Sequence, residues 1–122
     1  MDFKIELIAI PVTDVDRAKD FYVRAGFNAD HDHRVGDGLR FVQLTPPGSA
    51  CSIAIGEGIT PAEPGSVKGM QMVVGDIHAA REQLLAGGVE VSEVDSQAWG
   101  EFVYFTDPDG NGWAVQAIPE RE

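Results

Sequence analysis

A single turn between two apolar segments constrains this chain more than any other feature. Pro108 fixes its φ at about −65°, and Asp107 can accept a hydrogen bond from the backbone two residues on. Gly110 then supplies the positive φ that reverses the chain. The residues before the turn, 102–105, and those after it, 113–115, are β-branched, aromatic or otherwise apolar. The pattern therefore predicts a β-hairpin.

A weaker copy of this hairpin lies 62 residues earlier in the 122-residue chain, around Pro46-Pro47-Gly48. At the same offset, identical residues recur at helix caps, glycines and turns, and no insertion or deletion is needed. The identical pairs are Val12 with Val74, Asp14 with Asp76, Ala18 with Ala80, Gly26 with Gly88, Gly38 with Gly100, Pro46 with Pro108 and Gly48 with Gly110. Helix caps, glycines and turns require particular backbone conformations that few residue types adopt. Identities at these positions therefore indicate a duplicated fold.

Each half of the chain predicts the same order of elements, βαβββ. Asp14 and Asp76 can cap the two helices, and Gly26 and the Gly87-Gly88 pair can end them. The predicted strands are 4–12, 27–33, 39–44 and 51–55, followed by 69–74, 89–94, 101–105 and 113–118. The sequence therefore predicts an α+β fold of two tandem βαβββ modules, with a curled mixed sheet around a cleft and the helices on its outer face. We expect one domain with module one at 1–56, a linker at 57–68 and module two at 69–122.

Composition narrows the possible partners and the compartment. The net charge of −11 and only nine basic residues argue against nucleic acid, whose phosphates require clusters of Lys and Arg. No apolar run approaches the roughly 20 residues of a membrane span, and the N-terminus lacks the layout of a signal peptide. The single cysteine, Cys51, excludes an internal disulfide and indicates the cytosol.

Three motifs of this chain resemble those of the vicinal oxygen chelate superfamily, which includes glyoxalases, extradiol dioxygenases, fosfomycin-resistance enzymes and bleomycin-binding proteins. The likeness covers nearly the whole chain. It is carried by Val12-x-Asp14-Val15-Asp16-Arg17-Ala18-x-x-Phe21-Tyr22, by Trp99-Gly100-x-Phe102 and by Phe105-Thr106-Asp107-Pro108-Asp109-Gly110-Asn111.

The resemblance implies four positions at which the enzymes of this superfamily hold a divalent metal. A His or Gln on the first strand and a Glu on the last strand of each module are the ligands. The matching positions here are Leu7, Ser52, Gly69 and Ala114. A hard divalent ion needs several carboxylate, imidazole or carbonyl donors, and this set offers one hydroxyl. The resemblance therefore implies neither a metal nor another cofactor and identifies no catalytic residue.

What remains resembles the small-molecule-binding branch of the superfamily, which sequesters antibiotics and is usually dimeric. We expect a metal-free homodimer that binds a small organic ligand in its cleft. The expected ligand-binding residues are Leu7, Ala9, Ser52, Ala54, Gln71, Trp99, Phe102, Ala114 and Gln116. An alternative is a lyase, isomerase or dioxygenase with a non-standard or absent metal site, so catalysis stays open. A third interpretation is an interaction module with a vestigial cleft.

Two polar features of the strands have two interpretations each. Gln71 and Gln116 lie on otherwise apolar strands, where they either satisfy one another or contact a ligand. His31 and His33 share one face of a predicted strand, a spacing that could chelate a metal. Because no third ligand is evident, we interpret these histidines as solvated strand residues.

Overall fold

The computed structural model describes residues 1–119 as two four-stranded mixed sheets and two helices. The elements are β1 (Leu7–Ala9), α1 (Val15–Arg24), β2 (Asn28–Arg34), β3 (Arg40–Thr45), β4 (Ser52–Glu57), β5 (Met70–Val74), α2 (Ile77–Ala86), β6 (Asp95–Gln97), β7 (Gly100–Thr106) and β8 (Gly112–Ala117). The strand orders are β1-β4-β3-β2 and β5-β8-β7-β6. In each sheet the first strand pairs in parallel with the last strand, and the other pairs are antiparallel. The α+β fold with two βαβββ modules is therefore confirmed.

Both helices begin at the aspartates that the sequence predicts as caps. The Asp14 carboxylate accepts from the main-chain N–H of Arg17 at 3.1 Å, and Asp76 caps α2 in the same way. After α1 the chain turns at Gly26, whose φ is +109°. None of the helices in residues 1–119 is long and apolar enough to cross a membrane.

The two sheets each turn one face toward a single core that both modules share. The helices cover these faces, and buried residues of both modules form one cluster. We call the other side of each sheet its open face. By strand register, the open faces carry Leu7, Ala9, Gln43, Thr45, Ser52 and Ala54 in the first sheet and Gln71, Val73, Phe102, Tyr104, Ala114 and Gln116 in the second.

The predicted turn after β7 joins the two modules through buried hydrogen bonds. The Asp107 carboxylate accepts from the N–H of Asp109 at 3.0 Å, which confirms the turn, and from the hydroxyl of Tyr22 at 2.8 Å. The Asn111 amide donates to the carbonyl of Pro11 at 2.8 Å, and the Trp113 indole donates to the Tyr22 hydroxyl at 3.0 Å. Side chains of module two are thereby tied to α1 and to Pro11, which follows β1, in module one.

The protonation of Tyr22 is set by this buried environment. Its side chain is fully buried, and burial together with the Asp107 carboxylate raises the pKa of Tyr22 far above its ordinary value. The hydroxyl therefore remains a neutral donor to Asp107 throughout the range in which proteins are normally studied.

Two expectations about the second module are wrong in detail. Val42 and Leu44 face the core in β3, whereas their counterparts in β7 are Val103 and Phe105, 61 residues later (103 − 42) rather than 62. The repeat therefore needs a deletion. The predicted strand at 89–94 is also absent, because the Ser92 side chain accepts the N–H of Tyr104 at 2.9 Å and interrupts regular pairing. The short strand β6 follows at Asp95–Gln97.

Replacing Tyr22 by Phe removes the hydroxyl between Asp107 and Trp113 and leaves both groups without that partner. We expect Tyr22→Phe to lower the free energy of unfolding by about 1–3 kcal/mol, measured by urea denaturation. Tyr104→Phe is the control, because the Tyr104 side chain is 42% exposed. Its effect is expected to stay within about 0.5 kcal/mol. Equal losses in the two variants would contradict a special role for Tyr22.

The raised pKa of Tyr22 also predicts a dependence on alkaline pH. In the unfolded chain a tyrosine ionises near pH 10, while Tyr22 in the folded chain stays neutral. The stability that this difference contributes is complete below about pH 10 and decreases as the pH rises above it. We expect the wild-type protein to lose stability more steeply than Tyr22→Phe between about pH 9 and 11, measured by denaturation at each pH. Parallel curves would show that Tyr22 is not the titrating group.

Candidate small-molecule binding site

The open face of the second sheet carries an ordered pair of amides. Gln71 donates from Nε2 to Oε1 of Gln116 at 2.6 Å, and Gln116 donates from Nε2 to the carbonyl of Trp99 at 2.9 Å. The two glutamines thus satisfy one another, which is one of the two alternatives that the sequence left open. Gln71 is exposed, and its Oε1 accepts no hydrogen bond within residues 1–119. This acceptor is therefore available to a ligand.

Aromatic rings lie beside the amides on the same face. Phe102 and Tyr104 are stacked with 6.1 Å between ring centroids and 5° between planes. The Tyr104 hydroxyl donates to the Asp95 carboxylate at 3.0 Å, which fixes the outer ring. Trp99, in the turn between β6 and β7, is 63% exposed. Aromatic surface and oriented amides together can stack on and hydrogen-bond a planar organic molecule.

The open face of the first sheet is built mainly from small side chains. Leu7 lies beside Ser52, and Ala9 lies beside Ala54, in the parallel register of β1 and β4. The hydroxyls of Ser52 and Thr45 are hydrogen-bonded at 2.6 Å. The result is a smooth surface with a few hydroxyl and amide groups near its centre.

The structure places the predicted ligand-binding residues in two groups, one for each sheet. Leu7, Ala9, Ser52 and Ala54 lie on the open face of the first sheet. The second group comprises Gln71, Phe102, Ala114 and Gln116 on the open face of the second sheet, with Trp99 beside them. Of these residues, only Gln71 lines either of two cavities in residues 1–119. Their role in binding stays a prediction.

The positions that resemble metal-binding sites do not fit a divalent ion. Leu7 and Ala114 carry no donor side chain, Gly69 has no side chain, and the Ser52 hydroxyl is already hydrogen-bonded. Ser52 and Ala114 are also not equivalent, because Ser52 pairs with Leu7, whereas Ala114 pairs with Gln71 rather than Gly69. Across residues 1–119, no three His, Cys, Asp or Glu side chains gather closely enough to hold a metal.

The predicted histidine pair and one overlooked residue, Gln43, lie on strands of the first sheet. His31 and His33 stack on each other at 5.9 Å between ring centroids on an exposed strand. Gln43 was not expected at the site, although it lies on the open face of the first sheet. The alternation of β3 around Val42 could have found Gln43.

A metal-binding experiment tests the mismatch between the donor set and a divalent ion. A metal at a hundred times its dissociation constant stabilises a protein by about 2.7 kcal/mol, which amounts to several degrees in Tm. We expect Mg²⁺, Mn²⁺, Ni²⁺, Zn²⁺ and EDTA each to change the Tm by less than about 1 °C. A stoichiometric ion in the purified protein, with a large stabilisation, would contradict this expectation.

Comparisons with known proteins agree with the fold. The sequence model of the Glyoxalase/Bleomycin resistance protein/Dioxygenase superfamily matches residues 4–115. The chain is 31% identical to TnmS3, an antibiotic binding protein from Streptomyces sp. CB03234, with a TM-score of 0.85 over 97% of this chain and 98% of that one. It is 32% identical to a glyoxalase/bleomycin resistance protein from the same strain, with a TM-score of 0.79 over 93% and 99%. The uncharacterized protein YetH of Bacillus subtilis (strain 168) is 28% identical over 88% of this chain and 92% of YetH.

Proposed function

This chain belongs to the Glyoxalase/Bleomycin resistance protein/Dioxygenase superfamily, and we propose that it binds a small organic molecule on its open faces without a metal ion. The observation that carries the proposal is the exposed surface of aromatic rings and oriented amides formed by Trp99, Tyr104, Gln71 and Gln116. More specifically, we propose that the ligand is an antibiotic, which the protein sequesters. This proposal is supported by the similarity to TnmS3, which is described as an antibiotic binding protein.

The exposure of apolar side chains supports a binding role for the second sheet. Val73 is 60% exposed, and Tyr104 is 42% exposed on the same face. These two side chains flank Ala114 and Gln116 of β8 on the open face. An exposed apolar patch on one face can mark a surface that binds a ligand or a partner. The Gln71 oxygen gives this surface a hydrogen-bond acceptor, which a ligand with a donor group can use.

A second copy of the chain is the partner that we propose for the open faces. Both sheets of one chain use their covered faces for the shared core, so their open faces point away from it. Leu7 on the first open face is 39% exposed, and Ile5 and Phe3 before it are more exposed still. In a two-fold dimer, the first sheet of one copy can cover the second sheet of the other and enclose the ligand from both sides.

The negative charge of the protein favours some classes of ligand over others. With a net charge of −11, the protein attracts cations and repels anions over distances of about one Debye length. Asp95 lies directly beside the outer aromatic ring, where it accepts from Tyr104. A neutral or cationic aromatic molecule therefore fits this face better than an anionic one. The lone cysteine is consistent with a cytosolic site of action.

Tryptophan fluorescence tests the proposed site. Trp99 is exposed, whereas Trp113 is only 4% exposed and lies in the core. We expect neutral and cationic aromatic ligands, screened as a panel, to quench the Trp99 emission saturably and to raise the Tm. Trp99→Phe removes the fluorescence change, and Gln71→Leu or Gln116→Leu weakens binding about tenfold, since each removes a hydrogen-bonding group worth about 1–1.5 kcal/mol.

Gln97→Leu is the matched control for the two glutamine variants. Gln97 is exposed and hydrogen-bonded to Asp95, so the change removes an amide outside the proposed contacts. This variant is expected to bind as the wild-type protein does. If the ligands found in the screen bind Gln71→Leu, Gln116→Leu and Gln97→Leu equally well, the amides are not the anchors of the site.

A further inference from the structure

A concave site lies between the two modules, and it does not include the aromatic rings of the second sheet. We call it the intermodule groove; it has a volume of about 530 Å³. Its walls are the edge strand β5, helix α2, the end of α1 and the turn after β3. Its lining residues include Pro46, Ser49, Gln71, Ala80, Gln83 and Leu84. This volume is within the range of small-molecule sites.

The groove and the buried contact at Asp107 lie at equivalent places in the two halves of the repeat. Side chains leave the space open at the groove, and they fill it at Asp107. There, α1 presents Phe21 and Tyr22, and the hairpin turn presents Asp107. At the repeat offset of 62, the matching residues of α2 are Gln83 and Leu84. An amide and a smaller aliphatic side chain leave open the space that two aromatic rings fill at Asp107.

The turn that lines the groove also lacks the side-chain hydrogen bonds that its counterpart, the turn at Asp107, makes to the other module. Asp107 and Asn111 make side-chain hydrogen bonds to module one, to Tyr22 and to Pro11. The corresponding turn after β3 begins with Pro46-Pro47, which offer neither a side-chain donor nor an acceptor. Across residues 1–119, no hydrogen bond joins this turn to β5 or α2. The groove therefore stays open on the side of the turn.

The chemistry of the walls defines the ligand class. Charged residues make up 24% of the chain, yet none of the residues that line the groove is ionisable. Most of them are apolar, and the polar side chains are Ser49, Gln71 and Gln83. The Gln83 amide makes no side-chain hydrogen bond in the described part of the chain. Because β5 is the edge of its sheet, its outer main-chain groups can also pair with a ligand.

We propose that the intermodule groove is a second binding site, which takes an uncharged, mainly apolar small molecule and orients it through the Gln83 amide. An ionised ligand would lose its hydration there without meeting an opposite charge. Gln71 borders both the groove and the open face of the second sheet, whereas Gln83 and Leu84 belong to α2 and contribute to the groove alone.

The neutral fluorescent probe N-phenyl-1-naphthylamine tests the proposal. We expect it to bind the wild-type protein saturably with one site per chain, and to bind more tightly than the anionic probe 8-anilinonaphthalene-1-sulfonate. Gln83→Phe and Leu84→Tyr copy the residues of the filled end and are expected to weaken binding of the neutral probe about tenfold or more, which corresponds to about 1.4 kcal/mol. Gln83 is exposed, so Gln83→Phe keeps the test valid if Leu84→Tyr does not fold.

Matched controls on the same helix are Glu82→Phe and Leu85→Tyr, whose side chains are exposed and do not line the groove. Both are expected to bind the neutral probe as the wild-type protein does. Three results would overturn the proposal: no saturable binding, equal affinity for the anionic probe, or undiminished binding by folded Gln83→Phe. Loss of binding in Trp99→Phe with retention in Gln83→Phe would place the probe on the open face instead.

Discussion

The hydrogen bond between Tyr22 and Asp107 is the interaction on which the arrangement of the two modules depends. Asp107 is only 3% exposed, and a buried carboxylate is costly unless donors surround it. Its donors come from its own turn and, through Tyr22, from α1 of the other module. The turn can therefore be satisfied only when the modules are docked in this one way. That docking directs the covered face of each sheet into the shared core and leaves the open faces outside it.

Much of this fold could be predicted from local chemistry. The caps Asp14 and Asp76 and the turn at Asp107 use side-chain hydrogen bonds that span two or three residues, so sequence spacing is sufficient to recognise them. The buried contact of Tyr22 with Asp107 spans 85 residues and could not be read from spacing. Neither could the segment before β6, where Ser92 replaces a main-chain partner of Tyr104 with its own hydroxyl.

The candidate site was predictable in its residue types but not in its geometry. Gln71 and Gln116 were conspicuous as amides on apolar strands, and the structure shows that they pair. Val42 and its counterpart Val103 are 61 residues apart rather than 62. An ungapped repeat with an offset of 62 therefore assigns β3 and β7 to opposite faces. A shift of one residue exchanges the two faces of a strand. That is why Gln43 was overlooked. By β4 and β8 the spacing falls to 60 residues, from Ala54 to Ala114 (114 − 54), and that is why Ser52 and Ala114 were wrongly taken as equivalents.

The two ends of the module interface show how a duplicated fold can separate stability from binding. At one end, Tyr22 and Trp113 fill the space between modules and supply the hydrogen bonds that dock them. The side-chain hydrogen bonds of Asp107 and Asn111 to module one lie at that end, and in residues 1–119 the turn after β3 at the other end makes none to β5 or α2. Leu84 and Pro46 can then leave a groove without loss of the docking geometry. If side chains filled both ends of the module interface, the protein would be more rigid and would have no groove for a small molecule. The difference between the two ends therefore favours a binding role for the groove.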